Sequence, residues 1–198
     1  MKGGKVIAIG ERRAASPATL DDRTDDELMR LARGDHRDAF AALVARHMAR
    51  LADFCTKMTC DRRTGEDVAQ ETWLQVWSHR GRYQPQGKFE SFMFTIARNR
   101  CRNALRSRGR RGKLFVAGET ERASDDPSHL DALLARERAA RVADAVGELP
   151  PKLREAVLLR FSLGLDYPEI SAIVGRGEST VRSRVFHGLE KLRGRLGE

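Results

Sequence analysis

Two helical patterns joined by a glycine turn lie between residues 166 and 196, and they constrain the fold of this chain more than any other feature. In the first, Asp166 can cap the helix and Glu169 completes a capping box. Gly175 suits the turn that ends this short helix, and a longer basic helix is predicted after Gly177. A short helix, a turn and a longer basic helix predict a helix-turn-helix, whose second helix normally lies in the DNA major groove.

The second of these helices is predicted to have an apolar and a polar face. Its apolar stripe comprises Val181, Val185, Leu189, Leu192 and Leu196. The stripe should pack against the apolar residues of the first helix, Ile170, Ile173 and Val174. The predicted DNA-facing residues are Thr180, Arg182, Ser183, Arg184, Phe186 and His187. Arg182 could bind a guanine edge and Phe186 a thymine methyl group. The alternative is that Phe186 is an isolated apolar surface residue and that the arginines only form a solvated face of the helix.

Six more helical patterns precede this motif, four in the N-terminal half and two directly before it, over about residues 127–147 and 152–160. The first begins with a capping box at residues 24–27 and ends at Gly34, and the second carries a core stripe from Phe40 to Phe54. The third follows Thr64 and has a polar face comprising Asp67, Gln70, Glu71 and Gln75. A loop over residues 81–88 leads to the fourth, which begins with aromatic residues and continues with arginines. Two separate groups of helices are therefore predicted.

Several short motifs in both groups resemble one family. In the N-terminal half they are Gly-Asp at 34–35, Glu-Asp-Val-Ala-Gln-Glu at 66–71 and Ile-Ala-Arg-Asn at 96–99. In the C-terminal half they are Leu-Pro at 149–150, Tyr-Pro-Glu-Ile at 167–170 and Thr-Val-Arg-Ser-Arg at 180–184. In order and spacing, the chain resembles the extracytoplasmic-function (ECF) branch of the bacterial sigma-70 family from about residue 24 to residue 196.

The resemblance implies an all-α fold of two small helical domains joined by a flexible linker, the C-terminal one a helix-turn-helix. We expect a flexible N-terminal extension over residues 1–23 and a domain like sigma region 2 over residues 24–108. A linker is expected over residues 109–128, where helical periodicity fails and glycine and acidic residues are frequent. A domain like sigma region 4 should follow over residues 129–198.

The resemblance also implies a function and a division of labour among the candidate residues. A sigma factor directs core RNA polymerase to specific promoters and initiates transcription. The polymerase-binding residues would be Asp67, Gln70, Glu71 and Gln75, facing the beta-prime clamp, and the beta flap is a further expected contact. The residues expected at the −10 element are Tyr83, Gln84, Lys88, Phe89, Phe92, Arg98, Asn99, Arg102 and Arg106. The residues expected at the −35 element are the DNA-facing residues of the last helix.

Charge agrees with a nucleic-acid partner. The chain has 198 residues and a formal net charge of +9, and residues 98–113 contain eight basic and no acidic residues. A run of like charge is usually only a solvated face. Here it continues a helix that begins with aromatic residues, a combination that suits single-stranded DNA, whose bases stack while its phosphates are neutralised.

Two other functional classes fit the sequence less well. An ordinary helix-turn-helix activator or repressor would not need the acidic motif at 66–71 followed by an aromatic helix. An enzyme such as a recombinase would need a nucleophile or a cluster of metal-binding carboxylates, and the acids near residues 21–27 instead resemble helix-start charges. We therefore expect no enzymatic activity and no cofactor. An anti-sigma factor is a further partner that the resemblance admits.

The cysteines and the hydropathy give weaker expectations. Cys55, Cys60 and Cys101 are odd in number and fit a reducing cytoplasm. Cys55 and Cys60 with His47 match no common zinc spacing, so buried apolar roles are expected instead of a metal site. No apolar run approaches the roughly 20 residues that a membrane span needs, so no membrane insertion is expected.

Overall fold

The computed structural model describes residues 20–111 and 130–197. The N-terminal helices are α1 (Asp25–Arg33), α2 (Arg37–Thr59), α3 (Arg62–His79), a 3-10 turn (Arg80–Arg82) and α4 (Phe89–Arg111). The C-terminal helices are α5 (Leu130–Gly147), α6 (Pro151–Val157), a π-helical turn (Leu158–Ser162), α7 (Tyr167–Val174) and α8 (Glu178–Leu196). Within the described residues there is no strand, so the all-α prediction is confirmed. Much of the predicted linker and of the N-terminal extension lies outside the described residues.

The helix boundaries follow the capping residues that the sequence predicted. The Thr24 hydroxyl accepts a hydrogen bond from the Glu27 amide at 3.3 Å, and the Glu27 carboxylate accepts from the Thr24 amide at 2.8 Å. Asp166 and Glu169 form the same reciprocal pair at the start of α7, with both distances 2.8 Å. Gly175 adopts a left-handed conformation with φ 64° and ends α7. Both predicted capping boxes are confirmed. Each satisfies backbone N–H groups that the first turn of the helix leaves without a partner.

The N-terminal domain packs α2, α3 and α4 around a core of large apolar side chains. Phe54 and Phe94 meet edge-on with ring centroids 5.4 Å apart, and Phe40 contacts Trp73 edge-on at 5.6 Å. The backbones of α2 and α3 approach each other most closely at Gly65, where a Cβ atom would lie 2.5 Å from the Thr56 Cα. The position therefore needs glycine because α2 leaves no room for a side chain.

The C-terminal domain buries one face of α8 against α6 and α7. Val181, Val185 and Leu192 of the predicted stripe are buried. Leu189 is half-buried and Leu196 is largely exposed at the end of the helix. Helix α6 is shorter than the predicted pattern over residues 152–160, because its last part widens into a π-helical turn in which the Leu163 amide donates to the Leu158 carbonyl at 3.2 Å.

Two boundary predictions differ from the structure. Leu20, assigned by sequence to the flexible extension, is only 4% exposed and belongs to the N-terminal core. Helix α4 continues to Arg111, past the predicted domain end at residue 108, and α5 is described from Leu130. Neither boundary carries a strong breaker: Gly109 continues the helix, at a cost of about 1 kcal/mol relative to alanine.

The two domains pack against each other. Buried residues of both, including Met93 of α4 and Ile170 of α7, form one continuous apolar cluster. Arg98 of α4 forms a buried ion pair with Glu155 of α6, and Arg154 donates a hydrogen bond to the Met58 carbonyl of α2 at 2.8 Å. The domains thus share an interface that the periodicity of the sequence did not predict.

Replacing Gly65 by alanine should lower the free energy of unfolding by about 1–3 kcal/mol, because the new methyl group would force α2 and α3 apart. Gly194→Ala is the matched control. It lies on the exposed side of α8, where a Cβ meets nothing within 4 Å, and alanine there should stabilise the helix by up to about 1 kcal/mol. Urea unfolding followed by circular dichroism would measure both, and equal effects of the two substitutions would contradict the close approach at Gly65.

Candidate nucleic-acid and polymerase interfaces

The predicted polymerase-binding residues lie on one face of α3. Asp67, Gln70 and Glu71 are exposed, while Gln75 is half-buried. Arg100 of α4 donates to the Glu71 carboxylate and, at 2.8 Å, to the Gln75 side-chain oxygen. At the N-terminal end of the face, the side chains of Asp67 and Gln70 form no hydrogen bond or ion pair with described residues, whereas Arg100 connects its C-terminal end to α4.

Sequence reasoning missed one residue of this face, Leu74. Its side chain is 70% exposed although it lies within one helical turn of Gln70 and Glu71. The available signal was its position, since residues three and four apart on a helix share a face. A large exposed apolar residue among polar ones is a feature of protein-binding surfaces, whose cores are apolar and whose rims are polar.

The loop before α4 is anchored by a single carboxylate. Asp26 accepts a hydrogen bond from the Tyr83 hydroxyl and, at 2.6 Å, from the Gly87 amide. Burial raises the pKa of Tyr83, and the hydrogen bond to Asp26 and its charge raise it further. Gly87 has φ 67°, a left-handed conformation that glycine adopts without strain. These contacts fix the path of the loop.

Tyr83 and Phe89, both predicted to contact the −10 element, are buried in this arrangement. They are 4% and 2% exposed, and their rings meet edge-on with centroids 6.0 Å apart inside the core. Neither ring presents a face on which a DNA base could stack in this arrangement. Their physical role is to hold the loop against α4, because large aromatic rings gain more from burial than from exposure.

The remaining predicted −10 residues differ in accessibility. Those exposed to solvent are Gln84, Lys88, Asn99 and Arg106. Phe92 and Arg102 are half-buried, and Arg98 is buried beside Glu155. Asn99 accepts a hydrogen bond from Arg98 at 3.1 Å. Gln84, Lys88 and Phe92 line a pocket of about 290 Å³, which Ala172 of α7 borders on its far side.

The predicted −35 residues line the outer face of α8. Thr180, Arg182, Ser183 and His187 are exposed, Phe186 is 56% exposed, and Arg184 is half-buried. The Arg182 guanidinium lies over the Tyr167 ring, 4.4 Å from its centroid, and pairs with Glu178 at 3.3 Å. These contacts hold Arg182 beside the start of α8. Tyr167, which sequence reasoning treated only as part of a helix start, is a platform for that arginine.

The cysteines separate into two environments. Cys55 and Cys101 are buried, and the pKa of Cys55 is raised by its contact with Cys101 and by burial. Cys60 is exposed instead of buried, which corrects the prediction for that residue. His47 does not face these cysteines: its Nε2 lies 2.7 Å from the Asp25 carboxylate. Within residues 20–111 and 130–197 no three potential ligands gather as a metal site would need, and no described helix is long and apolar enough to span a membrane.

Comparisons with known proteins agree with this arrangement of two domains. The chain matches the family Sigma-70 region 2 over residues 43–111 and the family Sigma-70, region 4 over residues 139–192. It is 38% identical over 164 residues to the RNA polymerase sigma factor CarQ of Myxococcus xanthus, an alignment that covers 82% of this chain and 91% of the relative. It is 32% identical over 168 residues to the RNA polymerase sigma factor CnrH of Cupriavidus metallidurans, with 81% and 87% covered.

Solved structures show the same fold. CnrH in complex with the cytosolic domain of CnrY has a TM-score of 0.68 and 26% sequence identity, covering 87% of this chain and 97% of that one. The sigma factor RpoE of Bartonella quintana, in complex with the anti-sigma factor NepR, has a TM-score of 0.67 at 22% identity, covering 80% and 96%. The chain therefore belongs to the ECF branch of the sigma-70 family and is an RNA polymerase sigma factor for promoter-specific transcription initiation.

Proposed function

We propose that this sigma factor acts in the cytoplasm by binding alone, with separate surfaces for core polymerase, the −10 element and the −35 element. The observation that carries the proposal is the separation of three accessible surfaces: the α3 face, the loop with the outer side of α4, and the outer face of α8. The −10 and −35 elements are about 25 base pairs apart, on the order of 80 Å along the duplex. The two domains must therefore separate before both elements can be bound together.

The α3 face is the proposed contact with the beta-prime clamp. Asp67 and Gln70 are exposed, and Leu74 adds an apolar centre to the polar surface. Arg100 keeps Glu71 and Gln75 in place from the neighbouring helix. A face that combines preordered charges with one exposed leucine can supply both orientation and apolar burial.

Reversing charge with Asp67→Lys and Glu71→Lys together should reduce co-purification with core polymerase at least about tenfold. Each substitution removes a negative charge from the proposed interface and puts a positive charge in its place, which the partner surface would repel. The helical content should remain, since both side chains are exposed. Asp38→Lys with Asp53→Lys is the control, which makes the same change in net charge at exposed positions of α2. Co-purification of the α3 variant at the wild-type yield, or an equal loss of co-purification in both variants, would contradict the assignment.

The loop and α4 are the proposed −10 surface. The pocket beside Gln84, Lys88 and Phe92 offers polar groups, a cation and a half-buried aromatic ring to an unpaired base. Arg102, Asn99 and Arg106 lie further along α4, where they could bind the phosphates of a single strand. Extruding a base from the duplex costs a few kcal/mol, which such contacts can repay.

Gln84→Ala with Lys88→Ala should leave closed-complex formation intact but reduce strand opening, because the proposed partner of these residues exists only after a base leaves the duplex. Permanganate footprinting would measure the opening, and Asn99→Ala tests the α4 side of the same surface. A promoter with a pre-melted −10 region should partly restore transcription by the variants. Wild-type opening of linear duplex, or no rescue by the pre-melted template, would count against the −10 assignment.

The outer face of α8 is the proposed −35 surface. Arg182 is held by Tyr167 and Glu178 near the N-terminal end of the helix, the part that approaches base edges in helix-turn-helix proteins. Thr180, Ser183 and Phe186 are exposed beside it, and His187 lies one turn beyond Ser183. Arg193 lies later on α8 and is exposed, which suits a contact with the phosphate backbone.

Arg182→Ala should cost about 1–3 kcal/mol at a particular −35 base pair and relax selectivity there, while selectivity at other positions holds. Arg193→Ala is the comparison variant. It should weaken binding to duplexes of every sequence alike and reduce the slope of log affinity against log salt concentration by about one. Binding to a library of −35 duplexes at several salt concentrations would measure both effects. An unchanged base preference for Arg182→Ala would mean that a different face of α8 meets the DNA.

An anti-sigma factor is a further proposed partner. It is supported by the similarity to CnrH, whose solved structure is a complex with the cytosolic domain of CnrY. The two most exposed large apolar side chains among the described residues, Leu74 on α3 and Phe161 after α6, are candidate contacts for such a protein. A protein bound there would compete with polymerase for the α3 face.

A further inference from the structure

A basic cleft lies where the two domains meet, and it joins arginines of the predicted −10 and −35 surfaces to Lys152 and Arg176, which belong to neither surface. It has a volume of about 190 Å³ and is lined from both domains: by α4, by the start of α6, by the turn after α7 and by α8. Its charged residues are Arg98, Arg102, Lys152, Glu155, Arg176 and Arg184. The cleft exists only because the domains are packed together.

The charges of the cleft do not balance. Glu155 is the single carboxylate among the lining residues, and it is buried in an ion pair with Arg98. For the other four cations, Arg102, Lys152, Arg176 and Arg184, no carboxylate of the described residues lies within ion-pair distance. Like charges gathered at an interface repel each other and oppose its closure unless an anion neutralises them.

We propose that this cleft binds a compact oligophosphate, either inorganic or the phosphate chain of a nucleotide. Arginine and lysine side chains that converge from several elements are the usual means of holding several phosphate groups, since each donates charge-assisted hydrogen bonds. Arg102 and Arg184 are half-buried at the cleft, which limits their contact with water and strengthens an ionic contact.

The size of the cleft favours a free oligophosphate over DNA. A volume of about 190 Å³ cannot admit a duplex, nor a strand whose bases must follow its phosphates. The lining residues also come from both domains, and binding promoter elements about 80 Å apart would pull those domains away from each other. The ligand that matches the closed cleft is therefore a small, highly charged anion.

Binding there would hold the sigma factor in its packed arrangement. The anion would bridge α4 to the turn after α7 and to α8, so it would bind the packed state better than the separated one and shift the population toward it. It would also occupy Arg102 and Arg184, which are proposed DNA contacts. The consequence for DNA binding rests on the proposed function, whereas binding of the anion does not.

The test uses the full chain and inorganic tripolyphosphate in isothermal titration calorimetry at constant ionic strength. One anion should bind per chain. Lys152→Gln with Arg176→Gln should weaken binding about tenfold or more, because two charge-assisted contacts are lost. Arg138→Gln with Lys191→Gln is the matched control, which removes the same charge from exposed positions of the C-terminal domain and should bind like wild type. Adenosine triphosphate and a short single-stranded oligonucleotide, titrated in parallel, distinguish the sources of phosphate.

Binding of tripolyphosphate or adenosine triphosphate that only the cleft variant loses would support the proposal. No binding of either, equal loss in both variants, or binding of the oligonucleotide alone would overturn it. A competition with −35 duplex separates this inference from the proposed function. Anion binding that does not displace the duplex would leave the cleft site standing and remove only its effect on DNA.

Discussion

Two neighbouring charged residues on α6, Arg154 and Glu155, hold the packed structure together. Arg154 is buried and donates to three carbonyls at the end of α5 and just after it, and to the Met58 carbonyl near the end of α2. These carbonyls lie at the negative ends of two helices, where a cation is favoured. Glu155, one residue further on, is buried against Arg98 of α4. A single turn of α6 thus connects its own domain to two helices of the other.

The buried ion pair between Arg98 and Glu155 disfavours a partly opened interface. Removing either partner of a buried ion pair costs about 3–5 kcal/mol, because the remaining charge stays buried without compensation. Separating the domains exposes both Arg98 and Glu155 to water, which solvates them again. A half-open state that leaves one of these charges buried without its partner is therefore disfavoured. Under the proposed function, in which the domains bind promoter elements about 80 Å apart, the packed state must open, and an anion in the basic cleft would favour the packed state.

Much of the fold could be predicted because its signals are local. Thr24 and Asp166 cap helices through residues three positions away, and Gly175 ends α7 through its own backbone conformation. The proposed polymerase contact on α3 could be predicted as a polar face, yet Leu74 was missed because an exposed leucine and a buried one look alike in a helical pattern. The same ambiguity applies to Tyr83 and Phe89, which are buried in this arrangement, since an aromatic residue in a basic region suits both stacking and a core.

The sequence by itself determined the helices, their order, the helix-turn-helix and the family, because caps, glycine turns and apolar periodicity act within a few residues of each other. Only the tertiary structure decided that the domains pack together. Arg98 and Glu155 are 57 positions apart and lie on opposite sides of the predicted linker, so no local pattern pairs them. The basic cleft was equally hidden, since it joins Arg102 to Arg184 only after both domains have folded and met. Contacts of this kind depend on how well the surfaces of the two folded domains fit together, which a local sequence pattern does not encode.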